Sequence, residues 1–194
     1  MIKVIGFFIL MQCVNISIAY GESLKETSHA PTPIAQAFPG QSPLGKSALY
    51  AFVFKLYDIA LWAKSVKCAE SFSCTMALET IQNLGASKET LVSKTLEKIT
   101  YYHPELLKGS IEIYRKRLED LYPERVNSGD TIQVLFNPEE NLISFYHKGK
   151  SNDDYTLKGS VKDGEFARHF FEIWLHPKCV YGKLREELLG LAKP

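Results

Sequence analysis

The sequence predicts an α+β domain, a large antiparallel β-sheet with helices packed on one of its faces. Three observations carry this. Residues 47–65, "SALYAFVFKLYDIALWAKS", are dominated by β-branched, aromatic and aliphatic side chains. Residues 131–161 hold short strand-like segments separated by polar turns. Between and beyond these regions, apolar residues recur at helical spacing behind capping residues. Strands, helices, an antiparallel meander and helices again make the order of an α+β fold.

Along 47–65, one alternate set is Tyr50, Phe52, Phe54, Leu56, Asp58, Ala60 and Trp62. The other is Leu49, Ala51, Val53, Lys55, Tyr57, Ile59 and Leu61. Both are mostly apolar, which predicts one or two strands buried on both faces, interrupted by Lys55 and Asp58. "TMALETI" at 75–81 alternates and reads as the next strand, with 68–74 as connector. Ser87 is placed to cap a helix over 88–102, with Glu89 in its first turn and Leu91, Val92, Thr95, Leu96 and Ile99 along one face. Pro104 suits the first turn of a second helix, along which Leu107, Ile111, Tyr114, Leu118 and Leu121 recur, and Pro123 ends it.

After the turn "NSGD", the segments "TIQVLFN" and "NLISFYHKG" joined by "PEE" predict a hairpin, and "YTLKGSV" a third strand. Asp163 then caps the helix in "GEFARHFFEIWLHPK". Phe166, Phe170, Ile173 and Trp174 fall on one stripe of it, widened by Ala167 and Phe171. Arg168, His169, Glu172 and His176 are expected mainly on the exposed side, and Pro177 stops the helix. A short last helix around "KLREELLG" is closed by Gly190.

The chain has 194 residues, which suits one folded domain, placed at 45–192. Formal net charge is +1, from 23 basic and 22 acidic residues without a single-sign block, so neither a nucleic-acid nor a polybasic membrane footprint is indicated. Residues 1–19 read as a cleaved secretory signal: Lys3 leads the apolar "VIGFFILM", and "SIA" offers small residues at the cleavage site, with cleavage after Gly21 as a near rival. The apolar stretch is too short to span a bilayer stably, so a periplasmic or secreted protein without a membrane span is expected. Residues 20–44 carry four prolines and few large apolar residues apart from Phe38, and read as an extended leader. Export favours a disulfide between Cys68 and Cys74 over two free thiols, and leaves Cys179 as a buried thiol.

The motifs for chemistry are sparse. His169, Glu172, His176 and Cys179 have no zinc-site spacing, so no metal is assigned and an exposed polar edge is expected. Cys179 has His176 three residues away as a base, but no third orienting residue or oxyanion hole is marked, and neither GxSxG nor a phosphate-binding glycine loop is present. Asp58 beside Tyr57, within an apolar strand, is a structural anchor or a site residue. The aromatic stock includes Phe52, Phe54, Tyr57, Trp62, Phe170 and Trp174. It either fills the core or lines a pocket for an apolar ligand between sheet and helices.

"FKLYDIALWA" (54–63), "GDTIQVLFNPEENLISFYHKG", "GEFARHFFEIWL" and "LREELLG", in that order, resemble the chalcone isomerase-like family, and in particular its exported bacterial branch. The resemblance covers roughly 45–190 and implies an open-faced β-sandwich. Plant enzymes of that family close the chalcone C ring by intramolecular oxa-Michael addition without a cofactor. They use an arginine, a threonine and a tyrosine. Other members bind fatty acids, and some bind haem. Transferred here, the threonine falls near Tyr57, the arginine falls where this chain has "LGKS" with Lys46 as nearest cation, and Tyr101 and Tyr102 lie in the region of the tyrosine. Lysine lacks the planar guanidinium fork. The resemblance therefore implies a binder of an apolar or amphipathic small molecule such as a fatty acid, with Phe54, Tyr57, Asp58, Trp62, Phe170 and Trp174 as ligand-binding residues. The alternatives are a cofactor-independent isomerase (intramolecular lyase) using Lys46 and Tyr57, with Asp58 beside them, or a haem binder through His169 or His176.

Overall fold

The computed structural model describes residues 32–192. The expected signal segment 1–19 and the first part of the leader lie outside the described residues. The expected α+β architecture is present. Six strands form one open antiparallel sheet in the order β1 (Gly45–Ala51), β2 (Phe54–Ala63), β3 (Met76–Gln82), β6 (Thr131–Asn137), β7 (Leu142–Lys148), β8 (Thr156–Lys162). Two short strands, β4 (Ala86–Ser87) and β5 (Arg125–Val126), pair across the base of the helical excursion that separates β3 from β6.

Residues 47–65 thus divide into two strands. Ala51 pairs with Phe54, so the hairpin turns on Phe52 and Val53 alone. Phe52 takes the left-handed conformation (φ 56°) that such a turn normally gives to glycine, and it is 82% exposed. No glycine, proline or asparagine marks the turn, which is why the sequence leaves open one strand or two. The connector 68–74 contributes most of a short helix, α2 (Val66–Ser71), and Cys68 and Cys74 are joined in a disulfide.

Four helices cover one face: α3 (Lys88–Tyr102), α4 (Ile111–Leu121), α5 (Gly164–Leu175) and α6 (Gly182–Leu188). Ser87 Oγ accepts the Thr90 N–H and Asp163 accepts that of Phe166, so both expected caps form. Against this layer the sheet presents Ile59, Leu61, Met76, Leu78, Val134 and Phe145, all buried. The helix expected to start at Pro104 starts later. Pro104–Lys108 forms a 3-10 turn, Gly109 follows, and Leu107, expected on the apolar face, is 62% exposed. Farther along, Tyr114, Leu118 and Leu121 are buried as their spacing requires. At the sheet edge α6 crosses β1 so closely that a Cβ on Gly45 would lie 2.0 Å from the Glu187 carbonyl oxygen. Ser47 Oγ donates to Glu187 Oε2 at 2.5 Å in the same contact.

The other face is covered by part of the segment expected to be extended. Residues Pro33–Ala37 form helix α1, with Pro33 in its first turn and Thr32 Oγ1 accepting the Ala35 N–H at 3.1 Å. Ile34 and Phe38, four apart, are buried against Ala77, with Trp62 and Leu135 packed beside them. The proline count hid a capped amphipathic turn.

Candidate functional site

The register of β2 decides what can meet. Tyr57, Ile59 and Leu61 point to the α3–α6 layer, whereas Asp58, Ala60 and Trp62 point to the α1 side. On the inner face, Trp174 Nε1 donates to Tyr57 Oη at 2.9 Å. Burial pushes the Tyr57 phenol well above its ordinary pKa, and the indole N–H pulls the other way. Trp174 meets Phe170 edge to face at 5.4 Å, and Phe170 meets Phe145 at 5.0 Å. Tyr122 meets Phe145 edge to face at 5.6 Å and shares a 2.9 Å hydrogen bond with Thr95 of α3. Burial raises the Tyr122 phenol to about 12. Three hydroxyls therefore stand around an aromatic column, in a packed layer that is apolar with a few fixed polar groups. At its rim Tyr181 is half-buried, and Lys98 Nζ lies 5.5 Å from the Tyr181 ring centroid.

Of the residues singled out from the sequence, Tyr57, Phe170 and Trp174 come together here. Phe54 lies at the hairpin end and is 63% exposed. Asp58 is on the α1 side, held near the surface by Lys55 Nζ at 2.5 Å and by the Asn83 side-chain amide at 3.3 Å. Trp62 packs with the α1 residues. Lys46 is exposed and pairs with Ala60 in the register, which sets it on the sheet face opposite Tyr57. Tyr101 is exposed, and Tyr102 accepts the Val180 N–H at 3.0 Å behind α5.

The α1 side carries a groove of about 660 Å³ between α1 and the segment before β8, lined by Thr32, Leu135, Tyr146 and Tyr155 with Asp153 and Asp154. Near it, Glu79 Oε2 accepts Gln133 Nε2 at 2.6 Å and Tyr155 Oη at 3.1 Å. Burial and the adjacent Glu79 carboxylate both raise the Tyr155 phenol.

A second polar group lies inside the helical layer and corrects the expected exposed edge of α5. His169 is 2% exposed, with its Nδ1 3.0 Å from Tyr114 Oη and its ring 3.9 Å, centroid to centroid, from that of His103. Burial, with the neighbouring His103, lowers its pKa to about 4. His103 Nε2 is 2.6 Å from Glu172 Oε2, and its Nδ1 is 3.4 Å from Glu105 Oε1. Sequence reasoning missed His103 because it belongs to the C-terminal cap of α3, far from α5 in the chain. The His169 ring is enclosed by Tyr114 and His103, while His176 stacks on Tyr102 at 4.5 Å and accepts the Lys178 N–H.

A search of curated proteins finds no match. Among solved structures, a fatty-acid binding protein of Arabidopsis thaliana is similar in fold, with a TM-score of 0.53 at 13% identity, covering 76% of this chain and 85% of that one. The model of the chalcone isomerase-like family matches residues 45–190, the span of the sheet and its four covering helices. The chain belongs to the chalcone isomerase-like family.

Proposed function

We propose that this protein is an exported, non-catalytic member of its family that binds an apolar or amphipathic small molecule, such as a fatty acid, between the sheet and the α3–α5 layer. The observation that carries the reading is the Tyr57–Trp174 pair on the aromatic column, with hydroxyls inside and one ammonium at the rim. A ligand tail would replace packing along Phe170 and Trp174, and a carboxylate head would emerge beside Lys98. The α1-side groove suits such a ligand less well, because Asp153 and Asp154 line it and Glu79 lies near.

The separation of Lys46 from Tyr57 supports binding over catalysis. An isomerase of the plant type needs its cation and its hydroxyl on one substrate, whereas here they lie on opposite faces of the sheet. Export is supported by the signal-like N-terminus and by the Cys68–Cys74 disulfide, a bond that persists in oxidising compartments. No helix among the described residues is long and apolar enough to cross a membrane.

Native mass spectrometry of the protein purified from its own compartment tests the reading. Adducts of fatty-acid mass that exchange with added palmitate are the expected result. Absence of any adduct, together with no palmitate binding, would remove the proposal.

A further inference from the structure

We propose that His103, His169 and Glu172 form a binding site for a divalent transition-metal ion of the zinc class. The proposal is independent of the ligand reading above, and the site is a different one. One donor atom from each residue lies within 4.8 Å of the other two. A zinc ion holds imidazole nitrogens at about 2.0–2.1 Å and carboxylate oxygens at about 2.0–2.2 Å, so small side-chain rotations bring all three into range.

The fold supplies the trio from two directions. His169 and Glu172 stand three apart on α5 and so share a face. His103 caps α3, and Pro104 turns the chain away directly after it, leaving the imidazole lying over α5. The supporting contacts are those that metal-binding histidines use. Tyr114 Oη fixes the His169 ring through Nδ1, and the Glu105 carboxylate stands 3.4 Å from His103 Nδ1. The His103–Glu172 contact of 2.6 Å is a hydrogen bond holding one proton. A divalent ion takes that proton's place on Nε2; a neutral ring carries its one proton on Nδ1, facing Glu105, and a doubly protonated ring releases the second proton to solvent. Two histidines and one carboxylate leave coordination positions for water, the composition of an open rather than a closed zinc site. His103 and Glu172 side chains are 14% and 15% exposed, which provides the path for entry.

The test is titration of the full chain, metal-free, with Zn²⁺ followed by calorimetry, and with Co²⁺ followed by visible d–d absorption. The expected result is one saturable site, weakened at least ~10-fold by Glu172→Gln and by His103→Asn. His147→Ala should bind as the native protein does, since His147 has a carboxylate partner, Asp130, but lies outside the trio. Glu172→Gln keeps the shape of the side chain, and circular dichroism of each variant separates lost binding from lost folding. No saturable site, or a folded Glu172→Gln protein that binds as tightly as the native one, overturns the proposal.

Discussion

The two faces of the sheet are covered by different means. On the inner face, four helices bury a continuous aromatic and aliphatic core, and the polar groups inside it are paired: Tyr57 with Trp174, Thr95 with Tyr122, His169 with Tyr114. On the outer face, a single helix of five residues sits over Ala77, Trp62 and Leu135 and leaves a groove along its side. Large apolar area removed from water dominates stability, so the inner face holds the fold together and the outer cover is an addition to it. The inner face carries the Tyr57–Trp174 column and the helical layer above it the His103–His169–Glu172 cluster, whereas the outer face carries Glu79 with Gln133 and Tyr155. A wide core is where aromatic residues and buried hydroxyls can be held at fixed distances.

Substitutions sharpen this contrast. The largest effect is expected at Phe170, which touches Phe145, Phe171 and Trp174; Phe170→Ala should cost about 3–5 kcal/mol in denaturant unfolding. On the outer face, Ile34→Ala should cost about 2 kcal/mol, at the low end for a buried aliphatic residue, because α1 contacts the sheet over a small area. Equal losses at the two positions would break the comparison.

Smaller effects come from the polar groups of the inner layer. Burial alone would raise the Asp163 carboxyl, but the Phe166 N–H and the Arg117 guanidinium outweigh it and hold its pKa below the ordinary value. Its stabilisation is therefore present above the ordinary carboxylate pKa of about 4 and is lost as pH falls through the lower folded value. Asp163→Ala should cost about 1 kcal/mol at pH 7, and less in acid, where the native cap is itself protonated. Tyr57→Phe should cost about 1 kcal/mol by leaving the Trp174 N–H without its acceptor. A fully stable Tyr57→Phe protein would mean that the indole finds another partner.

How far the sequence foretold this follows from which contacts are local. The apolar stripe of α5 was legible because Phe166, Phe170, Ile173 and Trp174 repeat at helical spacing, and all are buried. Ser87 and Asp163 were legible as caps because a cap acts only on the next turn. Tyr57, Phe170 and Trp174 were singled out together as aromatic residues of two elements expected to face each other. His169 was misplaced on an exposed edge because His103 and Tyr114, which cover it, come from α3 and α4. Helical spacing describes one helix and says nothing of what a neighbouring helix lays across its polar side. The Phe52 turn escaped for the opposite reason: the conformation is local, but the residue is not one that announces it. In α1 the signals were present, Thr32 before Pro33 and Ile34 four before Phe38, inside a segment whose proline content argued for an extended chain.

The proposed binding on the inner face can be read from the two tryptophans of the chain, one on each face of the sheet. Trp62→Phe leaves Trp174 as sole reporter of the inner face, and Trp174→Phe leaves Trp62 for the outer one. Titrating both proteins with palmitate should give a saturable change in Trp174 emission and none in that of Trp62. A response from Trp62, or from neither, would contradict the account.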